Sequence, residues 1–138
     1  MKLLDSNVIN YFRDKQSPWH GWARQAIADA VTGEGAGLNA VVLAELCGYV
    51  QEPERLQAEL EAIGLEILDV PASAALACGT AYRQYLRARR KESGKEGPKT
   101  PLADFFIGAH ADIMGWTVIT NDPGRFKTYF PKVKLETP

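Results

Sequence analysis

The chain has 138 residues, a mass of 15.2 kDa and a net charge of -1, with 46% hydrophobic and 24% charged residues. That length supports one domain with its own core, and that mix excludes a disordered, collagenous or coiled-coil chain. No apolar run reaches the roughly 18 residues of a membrane span, so no transmembrane helix is expected.

Asp5 interrupts the N-terminus too early for the apolar core of a signal peptide. Cys47 and Cys78 lie in apolar helical patterns, without the spacing of a small disulfide scaffold. Reduced thiols and a cytoplasmic setting follow as expectations. Charge is unevenly spread. Residues 1–80 carry five Lys/Arg against eleven Asp/Glu, and residues 81–138 carry eleven against six. A basic C-terminal part hints at a polyanionic partner.

In chain order, residues 2–4 read as a short strand, followed by a turn at Asp5-Ser6-Asn7 and a helix over 8–12. Pro18 fits the first turn of a second helix that runs to about residue 31. Gly33, Gly35 and Gly37 break it, and a second strand covers 36–38. Asn39 is a suitable cap for a helix over 41–50. An amphipathic helix over 54–63 ends at Gly64, a strand follows over 65–70, and a long helix runs from about 71 to 91.

Residues 92–99, ESGKEGPK, have turn residues and charge but no periodicity, and are expected to form a mobile loop. Thr100-Pro101 supplies a cap and a first-turn proline for a helix to Met114, which Gly115 stops. A buried-type strand over 117–120, a turn or short helix from Asp122-Pro123-Gly124 and an edge strand over 133–135 complete the chain. Short apolar strands alternating with helices predict an α/β domain with a mostly parallel central sheet. Its site belongs at the carboxyl ends of the strands.

Four carboxylates stand alone in apolar surroundings. Asp5 follows the first strand, Glu45 lies in a helix of Val, Leu, Ala and Cys, Asp104 falls in the first turn of its helix, and Asp122 follows the strand over 117–120. Asp5 and Asp122 could cap turns, and Asp104 could be placed by the helix dipole. Glu45 resists such a reading, because a buried unpaired carboxylate is costly. Together the four point to one anionic site that needs a cation. Oxygen donors without nearby thiols favour Mg²⁺ or Mn²⁺ over zinc. Such ions bind phosphate oxygens and activate water for attack on a phosphodiester.

The sequence contains no GxxxxGK phosphate loop and no nucleophile elbow, and His20 and His110 are isolated. Metal-dependent hydrolysis is the chemistry left. From Arg83 to Lys99, seven basic residues face two acids. Arg87, Arg89 and Arg90 could bind RNA phosphates, or could form a solvated helix end.

The segments LLDSNVINYF (3–12), NAVVLAEL (39–46) and PLADFFIGAHADIMGWTVITND (101–122), with Phe126, resemble the PIN-domain nucleases, and among them the VapC-like toxins of toxin–antitoxin pairs. The resemblance implies a three-layer α/β/α fold over 1–138 and an Mg²⁺- or Mn²⁺-dependent endoribonuclease. Asp5, Glu45, Asp104 and Asp122 then match the four metal-binding and catalytic acids, and Asn7 a residue that orients the first. Ser6 and Thr120 are candidate supporting hydroxyls.

The resemblance also implies an antitoxin whose tail crosses the acidic groove with a basic side chain. The crowded aromatics Tyr11, Phe12, Trp19 and Trp22 would receive an apolar partner helix, and helices near Tyr82 would form a homodimer. Residues 92–99 and Arg125 match no family motif. One alternative is a non-catalytic PIN-like module that holds RNA or protein. Another is a phosphatase of the haloacid-dehalogenase type, disfavoured because Asn7 stands where a second Asp is required.

Overall fold

A computed structural model describes residues 1–97 and 102–138. Strand β1 (Lys2–Leu4) leads into α1 (Ser6–Arg13) and α2 (His20–Thr32), then β2 (Ala36–Asn39), α3 (Ala40–Cys47) and α4 (Pro53–Ala62). Strand β3 (Leu65–Leu68) precedes α5 (Ala72–Ser93) and α6 (Ala103–Met114), and β4 (Thr117–Ile119), α7 (Gly124–Tyr129) and β5 (Lys134–Glu136) end the chain. The strands form one sheet in the order β3-β2-β1-β4-β5, flanked by helices in a three-layer α/β/α arrangement. Every pairing is parallel, so the sheet is wholly rather than mostly parallel. Among the described residues, no helix is long and apolar enough to cross a membrane.

Strand order fixes where a site can form. From β1 the chain steps outward to β2 and β3, then crosses back to β4 and β5. The direction of winding therefore reverses between β1 and β4, and a crevice opens at their carboxyl ends. Both central strands are buried on both faces, as parallel strands under helices must be: Leu3, Leu4, Val118 and Ile119 are all buried. Under α5, α6 and α7 the core is aromatic. Phe105 sits among Tyr82, Tyr85, Tyr129 and Phe130 with ring centroids 5.3 to 6.3 Å apart, in tilted and edge-on arrangements.

Most boundaries agree with the sequence to within two residues, and the differences have physical causes. Helix α1 starts at Ser6 instead of residue 8. Ser and Asn usually disfavour helix by bonding the nearby backbone, but here the Asn7 side chain is engaged by the Asp5 carboxylate and, from far along the chain, by Thr120 and Asn121. Pro18 lies in the turn ahead of α2, with Trp19 at the N-cap. Asn39 does cap α3, its side-chain oxygen accepting the N–H groups of Val41 and Val42 at 3.1 Å each.

That helix ends at Cys47 rather than residue 50, and β3 ends at Leu68 rather than 70. Helix α5 runs on through Ser93, taking up the start of the segment expected to be loop; Gly94 ends it in the left-handed conformation, φ 65°. Thr100 and Pro101 lie outside the described residues, as do Pro98 and Lys99. Tyr82 is buried against Phe105, so it is not available to a second subunit. Of the four N-terminal aromatics, Tyr11, Phe12 and Trp22 pack partly on the core and only Trp19 is exposed.

Close packing of α6 on the chain after α7 leaves no room at Gly108, where a Cβ would run into the ring of buried Phe130. Gly108→Ala is therefore expected to lower stability by about 1–3 kcal/mol, the usual cost of overpacking. Urea unfolding of the two proteins measures it, and equal midpoints would contradict the packing described.

Candidate active site

Register alone brings the first site residues together. Leu4 pairs with Ile119, and the ladder continues one step further as the Asp5 N–H donates to the Ile119 carbonyl at 3.0 Å. Asp5 and Thr120 thus emerge side by side from the central strands. The Thr120 hydroxyl donates to Asp5 Oδ2 at 2.7 Å, and Asn7 Nδ2 donates to the same oxygen at 3.0 Å.

Thr120 Oγ1 accepts in turn from Asn7 Nδ2 at 3.3 Å and from the Asp122 N–H at 3.0 Å. Asn7 Oδ1 accepts the Asn121 N–H at 3.3 Å, and Asn121 Nδ2 donates to the Tyr11 hydroxyl at 3.1 Å. The Thr120 hydroxyl uses its one donor and both acceptor positions. Such a satisfied network fixes the Asp5 carboxylate far more firmly than a lone turn-capping aspartate. Asp5 occupies the N-cap position of α1 but makes no side-chain cap to it.

Asp5 is buried, and its pKa is pushed up to about 6. Burial is the main cause; the Thr120 hydroxyl and the Ser6 backbone N–H pull it back, while the charges of Asp104 and Glu45 push it higher. Those influences place Asp104 and Glu45, each from a different element, within electrostatic reach of Asp5.

Glu45 differs from its expected setting. It is exposed, because the buried stripe of α3 is Val42 and Leu46 and Glu45 lies off it. The apolar composition of the helix suggests burial, but the side chain is on the outer face. Asp104, half-buried in the first turn of α6, meets Arg125 Nη1 at 2.7 Å through Oδ2. Asp122 is exposed, and its charge acts on Arg125. Of the supporting residues, Asn7 and Thr120 touch Asp5 directly, while Ser6 contributes its backbone N–H.

Three residues not singled out as site candidates in the sequence belong to this region: Asn121, which lies within the matched segment 101–122, and Arg125 and Tyr85, which no motif marks. The Arg125 guanidinium lies over the Tyr85 ring, 5.8 Å from its centroid. Arg89 Nη1 reaches the Tyr85 hydroxyl at 3.2 Å. One arginine of the basic stretch is thereby tied to Tyr85 beside Arg125, while Arg87, Arg89 and Arg90 are all exposed. Pairs such as Asp104–Arg125, 21 residues apart on different helices, leave no periodic trace in a sequence.

The donors are oxygens alone, the set preferred by hard divalent ions. Among the described residues, no three His, Cys, Asp or Glu side chains are gathered into a metal-holding group. A buried carboxylate on which the charges of two further acids act is nevertheless a group whose charged form a divalent cation would stabilise.

The sequence pattern of the PIN domain matches residues 2–130. The chain belongs to the PIN-domain family. In structure it is similar to FitAcB from Neisseria gonorrhoeae, at 27% identity and TM-score 0.63 over 100% of this chain and 98% of that one. It shares its fold with VapBC2 from Rickettsia felis, bound there to a promoter DNA fragment, at 24% identity and TM-score 0.63 over 99% and 98%. A toxin–antitoxin complex from Klebsiella pneumoniae also shares the fold, at 19% identity and TM-score 0.65 over 100% and 98%. No curated protein matches the sequence.

In this PIN domain, the raised pKa of Asp5 has a consequence for stability. A proton binds the folded state up to about pH 6 but leaves the unfolded chain near its ordinary 3.8. Folding is therefore opposed by this charge above pH 6, and the penalty fades as pH falls towards 4. Asp5→Asn keeps an acceptor oxygen and removes the charge, so it is expected to stabilise the metal-free protein at pH 7 by about 1–3 kcal/mol. Thermal melts at pH 7 and pH 4 check this. A gain that does not shrink at pH 4 would contradict it.

Proposed function

We propose that the protein is an Mg²⁺- or Mn²⁺-dependent endoribonuclease, the toxin of a toxin–antitoxin pair. The observation that carries this reading is Asp5, buried at the reversal point of the sheet and held by Thr120 and Asn7 while Asp104 and Glu45 raise its pKa. Membership of the PIN family supports a nuclease, and the solved neighbours include toxin–antitoxin complexes.

Asp5, Glu45 and Asp104 would hold the ion, with Asp122 at the exposed rim. When bound, such an ion supplies positive charge for the phosphate oxygens and acidifies water. The chain's own part is positional. Thr120 and Asn7 present Asp5 in one orientation, and the dipole of α6 favours the Asp104 carboxylate in its first turn. Single-stranded or looped RNA suits an open site, because its bases and backbone can be splayed across it.

A cognate antitoxin and a homodimer belong to the same reading, in a cytoplasmic setting. An anionic cleft favours an antitoxin that presents arginine, which can bind carboxylates in a bidentate manner. For a second copy, Leu76, 78% exposed on α5, offers the apolar contact that buried Tyr82 cannot.

Asp5→Ala and Asp104→Ala are each expected to lower cleavage of labelled single-stranded RNA by about 100-fold or more, the scale on which a preorganised electrostatic group acts. Chelation should do the same to the unaltered protein and excess Mn²⁺ should reverse it. Undiminished, chelator-resistant cleavage by both variants would defeat the proposal. A folded, metal-binding protein that holds RNA without cutting it would instead favour the non-catalytic module.

Arg87, Arg89 and Arg90 carry a separate expectation. Replacing all three with Gln should weaken RNA binding and flatten its salt dependence, by about 0.7 in the log–log slope for each phosphate no longer neutralised. Filter binding between low and moderate salt reads the slope. An unchanged slope would mean that these side chains are only solvated surface.

A further inference from the structure

Asp5, Glu45, Asp104 and Asp122 make a single ion pair with a basic side chain among the described residues, and it is Asp104–Arg125. Most exposed ion pairs contribute little, because two long side chains must be held in one geometry. This one is better prepared. Asp104 is followed by Phe105 and Arg125 by Phe126, both fully buried, so the backbones behind both charges are fixed in the core. Tyr85 supports the guanidinium from below, and Asp122 adds a second negative charge. A cation is thus built into the protein at one of the acids that a divalent ion would use.

We propose that Arg125 is an internal counter-cation for Asp104, holding that carboxylate while no divalent ion is bound and competing with the ion for it. The inference rests on the metal-dependent reading above. Its physical content is a shift of populations. When one ligand spends most of its time bonded to Arg125, the apparent affinity for the ion falls by the fraction of time that the ligand is free. Arg125 is then a positioning residue that sets how much free metal the site requires.

The test is calorimetric titration of Mn²⁺ into the full chain and three variants, each first shown to be folded by its thermal melt. Arg125→Gln is expected to tighten Mn²⁺ binding about three- to tenfold, the range set by a well-held ion pair. Arg125→Lys, which keeps the charge but loses the fork and the stacking on Tyr85, should fall between the two. Lys127→Gln removes a charge from the exposed side of the same helix, without touching Asp104, and should change affinity less than twofold.

Weaker or unchanged binding in Arg125→Gln overturns the inference and leaves the metal-dependent reading standing. An equal gain in Lys127→Gln also overturns it, since bulk charge would then explain the effect. Failure of both the unaltered protein and Arg125→Gln to bind Mn²⁺ would remove the metal-dependent reading, and the inference with it.

Discussion

The fold is organised around one unfavourable act, the burial of the Asp5 carboxylate at the end of the central strand. Taking a carboxylate out of water is costly unless hydrogen bonds or opposite charges compensate. Here hydrogen bonds compensate only in part. Thr120, Asn7 and the Ser6 N–H all favour the charged form, yet burial outweighs them and the group titrates near 6. Asp104 and Glu45 then add repulsion where a structural site would add attraction. A protein selected for stability alone has no use for this arrangement, so the residual cost marks Asp5 as a candidate functional group.

That burial also explains why the surrounding elements have the shapes they do. Asp5 must leave β1 in extended conformation and hand the chain directly to α1, so Ser6 and Asn7 enter the helix despite their poor propensity. The network that holds Asp5 draws on Thr120 and Asn121, just past the end of β4, which ties the start of the chain to its last third. Parallel register between β1 and β4 is therefore a condition of the site. A one-residue slip would turn Thr120 away from Asp5 and place an apolar side chain beside the carboxylate.

Legibility in the sequence follows from the range of each interaction. Strands over Leu3-Leu4 and Val118-Ile119, the Asn39 cap and the glycine stops are local, and local patterns announce them. Asp5, Asp104 and Asp122 are visible as lone acids at element ends, because isolation in an apolar run is also a local property. Glu45 is legible as a site candidate but misleading as to burial: composition shows that a helix is apolar, whereas only the stripe of Val42 and Leu46 shows which side faces inward. Arg125 and Tyr85 carry no such signal, because their partners are far away in sequence, and Asn121 lies in the matched segment without its pairing to Asn7 and Tyr11 being visible there. The early start of α1 has the same origin, since a tertiary network overrides local propensity there.

The uneven charge of the chain acquires a structural meaning at the cleft. Asp5 and Glu45 come from the acidic first part; Asp104, Arg125 and Arg89 come from the basic second part, with Tyr85 touching both arginines. Two demands conflict in any site that must hold a cation and receive a polyanion, because the acids that bind the first repel the second. Separating them by a few side chains is a physical solution. Asp5 lies at a strand end with the charges of Asp104 and Glu45 acting on it, and the Arg89 and Arg125 guanidinium groups stand on α5 and α7 at the border, both meeting Tyr85, with Arg125 bonded to Asp104. In the proposed function, phosphates would be drawn towards that edge while Asp5 and Glu45 keep their charge, Asp104 alone being paired from within. Arg125 sits where the two regions meet, bonded to Asp104 on one side and lying over Tyr85 on the other, so in the proposed function its choice of partner would couple the two kinds of binding.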